Sequence, residues 1–244
     1  MILPFDPVER SLEAERIVMK NESRLYHKFR PAPYYGGIAT ADAVGCSFLC
    51  AYCWNYFRNE NPAAQGRFQE PRDVAWHLLD IAQRKNFRRF RVTGSEPILG
   101  EASLGHVVQV IRMISDERPD SLFILETNGL MLGHRREFVQ ALKFPNLAIR
   151  VCLKGTDPES FARVTGSRAD FFEVPLAGLR ALQEADIEAW PALMEDLFSS
   201  EQVRSFQALL AKQGVRGDLE LESLEPYPYV IKNLQQRNIQ LVVP

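Results

Sequence analysis

RRFRVTGSEPILGEASLGHVVQVIRMISDERPDSLFILETNG, residues 88–129, decides the fold class. It opens on a short β-prone run (88–94) and passes through a stretch of helical periodicity, Leu104 to Ser115, with Val107, Val108, Ile111 and Met113 close together. It ends on a second β-prone run, 121–127. A strand, a helix of this length and another strand make a βαβ unit, and such units build parallel sheets. The same alternation extends outward. Further β-prone runs lie at 39–45, 147–153, 186–194 and 218–224, and helical stretches at 71–84, 133–143, 171–184 and 200–213. In the first of these helices Val74, Leu78, Leu79 and Ala82 share a face. Six strand–helix repeats fill the chain, fewer than a closed eightfold barrel needs. The expected fold is therefore α/β: a partial (β/α)6 TIM-like barrel, open along one side.

Residues 1–37 read as a short N-terminal extension, and 38–244 as the barrel domain with its C-terminal tail. In the extension Asp6-Pro7 is a helix start, Leu12, Ile17 and Val18 form an apolar stripe, and RPAPYYGG (Arg30 to Gly37) breaks any helix. There is no internal repeat or Gly/Ser linker.

Composition excludes several classes. The 244 residues are 46% hydrophobic with a net charge of −2, which gives no global attraction to nucleic acid or an anionic membrane. No apolar run reaches the ~18 residues of a membrane span, and the start lacks the pattern of a signal peptide. A cytoplasmic protein is expected. Of four cysteines, three fall within eight positions, which in a reducing compartment signals metal or redox chemistry rather than disulfides.

Those three stand in GCSFLCAYCW, where Cys46, Cys50 and Cys53 are spaced C-x3-C-x2-C directly after the first barrel strand. Barrels of this type place their active sites on such loops, at the C-terminal ends of the strands. Three thiolates suit a cubane iron–sulfur cluster with one iron left open, whereas a structural zinc site takes four protein ligands. An incomplete zinc knuckle is the bland alternative. Cys152 reads as a filler thiol rather than a fourth ligand, and His27, His77, His106 and His134 lack ligand spacing.

With Tyr52 just before the last cysteine, this motif resembles the signature of the radical S-adenosylmethionine superfamily. TGSEP (Thr93 to Pro97) resembles that superfamily's "GGEP" segment, with Ser95 in place of the second glycine. ETNG (Glu126 to Gly129) and CLKGTDPESFARVTG (Cys152 to Gly166) resemble the "DTNG" and "DLK…LVG" segments of the pyruvate formate-lyase activating enzyme group. The resemblance covers roughly residues 38–226. It implies a [4Fe–4S] cluster on Cys46, Cys50 and Cys53 and S-adenosylmethionine on its open iron. It implies further that reductive cleavage gives a 5′-deoxyadenosyl radical that takes hydrogen from a substrate. The TGSEP segment, with Gly94, Ser95 and Glu96, is implied to meet the methionine amino group, and Asn128 and Lys154 to approach the cofactor, with Lys154 as partner of its carboxylate.

Strand alternation adds an independent reading. Arg150, Cys152 and Lys154 share one face of their strand, so they line the lumen while Ile149, Val151 and Leu153 pack under helices. Arg91 with Thr93, Glu126 with Asn128, and Glu220 with Glu222 are further lumen pairs. Residues 54–69 read as a lid over the cluster. The substrate is left open among a protein or peptide, an RNA and a small molecule. A reduced flavodoxin or ferredoxin-type donor is expected, and no membrane. The competing reading is an iron–sulfur electron carrier or a zinc-stabilised binding module.

Overall fold

Asp6 starts the first helix, α1 (Pro7–Val18): its carboxylate accepts the N–H groups of Val8 and Glu9, and Pro7 occupies the first turn. The computed structural model describes residues 3–242. The buried face of α1 is Arg10, Ser11, Ala14 and Val18, while Leu12 and Ile17 of the expected apolar stripe stand in solvent. Of that stripe Val18 is buried and packs with Ala14 against Leu25, Val44 and Leu99, while Arg10 and Ser11 on the same face meet polar loops, so apolar spacing recovers only one end of the face.

Two antiparallel strands follow, β1 (Met19–Lys20) and β2 (Ser23–Ala32). Then come β3 (Ile38–Ala43), a one-turn helix α2 (Tyr56–Glu60), a short strand β4 (Arg67–Gln69) and α3 (Pro71–Lys85). The alternation continues as β5 (Arg89–Thr93), α4 (Glu101–Glu117), β6 (Leu122–Thr127), α5 (Leu130–His134), β7 (Leu147–Leu153), α6 (Pro158–Thr165) and α7 (Glu173–Glu184). It closes with β8 (Glu188–Met194), α8 (Ser200–Lys212), β9 (Glu220–Glu222) and α9 (Pro228–Gln236). The helix expected over 133–143 is instead split between α5 and a 3-10 stretch, Arg136–Leu142.

Among the described residues nine strands form one sheet in the order β1-β2-β3-β5-β6-β7-β8-β9, with β4 on β2. From β3 to β9 all pairings are parallel, which is the partial (β/α)6 barrel. Residues before Ile38 enlarge this sheet, because β2 pairs with β3 from Tyr26 to Ala32. Ala41, Val92, Leu125, Ile149, Val151 and Leu193 are buried in the core cluster that the helices cover. Their sequence neighbours turn to the concave side, and the register places Asp42 beside Thr93, and Glu126 beside Arg150, itself beside Trp190.

Candidate functional site

The loop after β3 carries the three cysteines. Gly45 enters it at φ +91, and a Cβ there would lie 2.9 Å from Val18 Cγ1, so only glycine lets the chain turn onto α1. Cys50 is buried, and Cys46 and Cys53 are half-buried. Four N–H groups point at their sulfurs: Phe48 N at 3.5 Å and Asn128 Nδ2 at 3.8 Å from Cys46 Sγ, Asn55 N at 3.3 Å and Asn59 Nδ2 at 3.6 Å from Cys53 Sγ. Burial pushes the thiols up, Cys46 to about 12 and Cys50 and Cys53 to about 11. Iron displaces such protons outright, and N–H···S contacts stabilise the resulting thiolates. The donor set therefore fits an iron–sulfur cluster.

The TGSEP loop after β5 lies against the cysteine loop. Gly94 has φ +85, and a Cβ would meet Asp42 Cβ at 2.9 Å, so its glycine is obligatory. Its carbonyl accepts from Asn55 Nδ2, while Ser95 Oγ donates to Asn59 Oδ1 at 2.7 Å. Glu96 is 3% exposed. Its carboxylate accepts from Thr127 Oγ1 at 2.7 Å, Asn128 N at 2.7 Å and Ile98 N at 3.0 Å. It thus ties the β5 loop to the β6 loop, and burial outweighs these bonds to push its pKa up to about 6. Asn128 uses its backbone N–H on Glu96 and its side chain on Cys46 and on Leu130 N. Tyr52 and Lys154 come together, the ammonium 5.5 Å from the ring centroid. Among the described residues Lys154 forms no ion pair.

Sequence reasoning missed a set of residues from the N-terminal segment that hold both loops. Arg10 Nη2 donates to Asn59 O, and Ser11 Oγ donates to Leu99 O and meets Ser47 Oγ. Glu15 accepts from the N–H and hydroxyl of Ser103. Arg24, fully buried, donates to the carbonyls of Val44, Glu96 and Pro97. The only signal in the sequence was the polar spacing Ser11, Glu15 on one helix face.

Below these loops the lumen is charged. Arg91 Nη1 pairs with Glu126 Oε1 at 2.8 Å, and Thr93 Oγ1 donates to Glu126 Oε2 at 2.5 Å. Burial works to raise the Glu126 pKa, but Arg91 and Arg150 outweigh it and hold the carboxylate below its usual range. Tyr35 at φ 54, an uncommon conformation for a bulky residue, donates its hydroxyl to Glu126 at 3.2 Å, and Tyr34 lies over Arg91. Tyr34 and Tyr35 thus lie across the foot of the lumen, while Arg30 to Ala32 of the same segment continue β2. Opposite, Arg150 pairs with Glu220 at 3.0 Å and Glu222 at 2.8 Å and donates to Cys152 Sγ at 3.2 Å. Trp190 Nε1 donates to Glu220. The anionic partner of Arg150 is therefore in the chain itself.

The sequence profile of the radical SAM superfamily matches residues 42–194. GTP 3′,8-cyclase of Microcystis aeruginosa is 27% identical over 150 residues, 59% of this chain and 42% of that protein. A probable GTP 3′,8-cyclase of Pyrobaculum aerophilum is 26% identical over 184 residues, 75% and 48% of the two chains. The chain spans less than half the length of these curated relatives. Among solved structures, Streptococcus suis SuiB bound to S-adenosylmethionine superposes with a TM-score of 0.58 at 14% identity, over 81% of this chain and 47% of that one. A spore photoproduct lyase variant with bound AdoMet and dinucleoside spore photoproduct superposes at 0.57 and 16%, over 86% and 63%. No helix among the described residues is long and apolar enough to cross a membrane. The profile match covers more than half of the chain, which sets aside a bare electron carrier or a zinc module: the chain belongs to the radical S-adenosylmethionine superfamily, enzymes that use a [4Fe–4S] cluster and S-adenosylmethionine.

Proposed function

We propose that Cys46, Cys50 and Cys53 hold the cluster, that S-adenosylmethionine lies along the ends of β3, β5, β6 and β7, and that the substrate is a small polar molecule in the lumen beneath. The observation that carries this reading is the gathering of the three cysteines, the TGSEP turn, Asn128 and Lys154 at one end of the parallel strands, above a lumen walled by Arg91, Glu126, Arg150 and Glu220. Bound there, the cluster and S-adenosylmethionine supply an electron and, from the cleaved sulfonium, a 5′-deoxyadenosyl radical able to take a hydrogen atom.

The chain's own residues orient and enclose. Lys154, with no carboxylate of its own, offers its ammonium to the carboxylate of the methionine moiety. The backbone of Gly94 and Ser95, brought close by the absence of a Cβ at Gly94, forms the wall that meets the amino group. Glu96 acts from behind that wall, fixing it to Asn128. Tyr52 sits under Lys154 and limits its movement. Residues 54–69 cover the cysteine loop. In this reading 38–244 is the catalytic unit, and 1–37 an extension that braces its loops through Arg10, Ser11, Glu15 and Arg24.

A small substrate is favoured over a peptide or an RNA because Tyr34 and Tyr35 close the lumen floor and charged side chains line its walls. The curated relatives are named for GTP cyclisation rather than for glycyl-radical activation, so purine nucleotides lead the substrate panel. The reductant is an external one-electron donor of the flavodoxin or ferredoxin type.

The test is anaerobic reconstitution, reduction in the presence of S-adenosylmethionine and chromatography for 5′-deoxyadenosine, wild type beside Cys50→Ala. Wild type is expected to form it and the variant to lose more than the ~10–100-fold that removal of an outer-shell partner costs, since a ligand itself is removed. GTP or a related nucleotide is expected to accelerate its formation. A variant as active as wild type would overturn the cysteine assignment, and a panel of nucleotides without effect would overturn the substrate class.

A further inference from the structure

On the outer side of the barrel, between α3 and the β2–β4 pair, lies a cleft of about 800 Å³ that the reading above does not use. Its lining includes His27, Lys28, Phe29, Arg67, His77 and Arg84. The sole acid of the lining, Asp80, is paired to Arg84. Lys28 and Arg67 form no ion pair among the described residues, and neither does the nearby Arg58. Glu70, next to β4, is taken up by Arg72. On a chain of net charge −2 this face is locally basic. It also shows a large apolar side chain to solvent, Trp76 at 62% exposure, against the lining His77 ring. The Phe29 and His77 rings stack at 4.3 Å.

One residue of the cleft wall, His27, lies toward the cysteine loop. The His27 ring lies 6.0 Å from the Trp54 ring, and Trp54 is bonded to Cys53 and 41% exposed. Aromatic rings thus run from the cleft wall to the residue beside a proposed cluster ligand.

We propose that this face docks the electron donor, an acidic one-electron carrier protein, and that electrons enter by way of His27, Trp54 and Cys53. The inference rests on the cluster assignment above. Redox encounters are small and steered by complementary charge, which matches a basic rim around a few exposed aromatics better than it matches a stable interface. In each encounter one electron leaves the donor's fully reduced flavin, which becomes its semiquinone. The cluster takes it up, passing from the 2+ to the 1+ state, and no atom or proton is transferred.

The reconstituted full chain is tested with fully reduced flavodoxin, and separately with photoreduced 5-deazariboflavin, a small uncharged reductant, following bleaching of the cluster absorbance. Lys28→Glu/Arg67→Glu is compared with wild type, and Arg58 is left in place because it also holds Asn55. Charge steering of this kind changes association about tenfold or more at low salt, so the flavodoxin rate is expected to fall by that factor and the difference to vanish in high salt. The deazaflavin rate stays within about twofold. An unchanged flavodoxin rate, or a wild-type rate indifferent to salt, overturns the proposal. So does an unchanged rate joined to lost binding of labelled tRNA, which assigns the face to nucleic acid. If both reductants slow, Lys28→Gln/Arg67→Gln decides: a loss confined to flavodoxin supports the proposal and an equal loss overturns it. Failure of the underlying assignment shows separately, as wild-type iron content and absorbance in Cys50→Ala.

Discussion

On the β3–β5–β6 side of the barrel the carboxylates and guanidinium that tie the loops together are closed into the protein, whereas on the β7–β9 side the charges stand half open. Glu96 has three donors and Arg24 three carbonyls, and both are shielded from water. Arg150 is equally buried, but Glu220 and Glu222 keep 40% and 36% of their side chains exposed on a three-residue edge strand. A closed polar knot is rigid and costly to break; an open ion pair exchanges partners at little cost. The first side is therefore the stiffer of the two, and the second keeps charged groups within reach of water.

Matched substitutions test that difference, and this is the largest effect expected. Glu96→Ala strands the Thr127 hydroxyl and the N–H groups of Asn128 and Ile98 in a dry site, a loss of about 3–5 kcal/mol. For a chain of this size that lowers Tm by roughly 10 °C. Glu220→Ala leaves Arg150 Nη2 with Glu222 and frees the Arg150 Nε–H and the Trp190 N–H at an edge open to water, so stability changes by no more than about 1–2 kcal/mol. Calorimetry on the two variants reads both. Equal losses would erase the distinction between the two sides.

A second test uses pH. His106 on α4 is buried between Glu22 O, 2.8 Å from Nδ1, and Tyr26 Oη, 3.1 Å from Nε2. Burial pushes its pKa down to about 4. The unfolded chain therefore takes up a proton first as the pH falls. The contribution is complete above the unfolded value of ~6.5 and is lost progressively down to about 4. Linkage gives a loss of about 2 kcal/mol between pH 7.5 and 5. In His106→Gln that part of the acid decline disappears. Denaturant melts at the two pH values measure it, and a variant with the same decline as wild type would show that the ring titrates freely.

The two sides were also unequally legible in the sequence. The six barrel strands announced themselves through β-prone runs between helical periods, and the cysteine loop and TGSEP turn through residue types at rare spacings. Gly45 and Gly94 are examples in which the letter itself records a close approach. The open side carried the alternation of Arg150, Cys152 and Lys154 but nothing to say that Glu220 and Glu222 answer Arg150, because that pairing spans 70 positions. The bracing of the loops by α1 and Arg24 was hidden for a related reason. A buried arginine is recognised only by the carbonyls around it, and those belong to segments far along the chain. Strand β4 and helix α9 were missed because three residues and nine leave little periodicity to detect.

The smallest expected effect lies where the two sides meet. Helix α9 follows β9 and returns to the cysteine loop, where Tyr229 donates its hydroxyl to the carbonyl of Trp54 at 2.6 Å. Its ring also meets Phe57 at 5.2 Å and stacks on Tyr227 at 5.7 Å. Tyr229→Phe keeps the ring contacts and removes one partly exposed hydrogen bond, worth about 0.5–1 kcal/mol. Global stability hardly moves, because most of α9 stays anchored by Val230, Leu234 and the Arg237 contact with the Val164 carbonyl. Local opening is another matter: the same energy raises the open fraction of this flap about two- to fivefold. The cluster should therefore bleach in air faster by that factor, with Tm shifted by no more than about 2 °C. Unchanged bleaching would mean that α9 does not guard the loop and that the open side ends at β9.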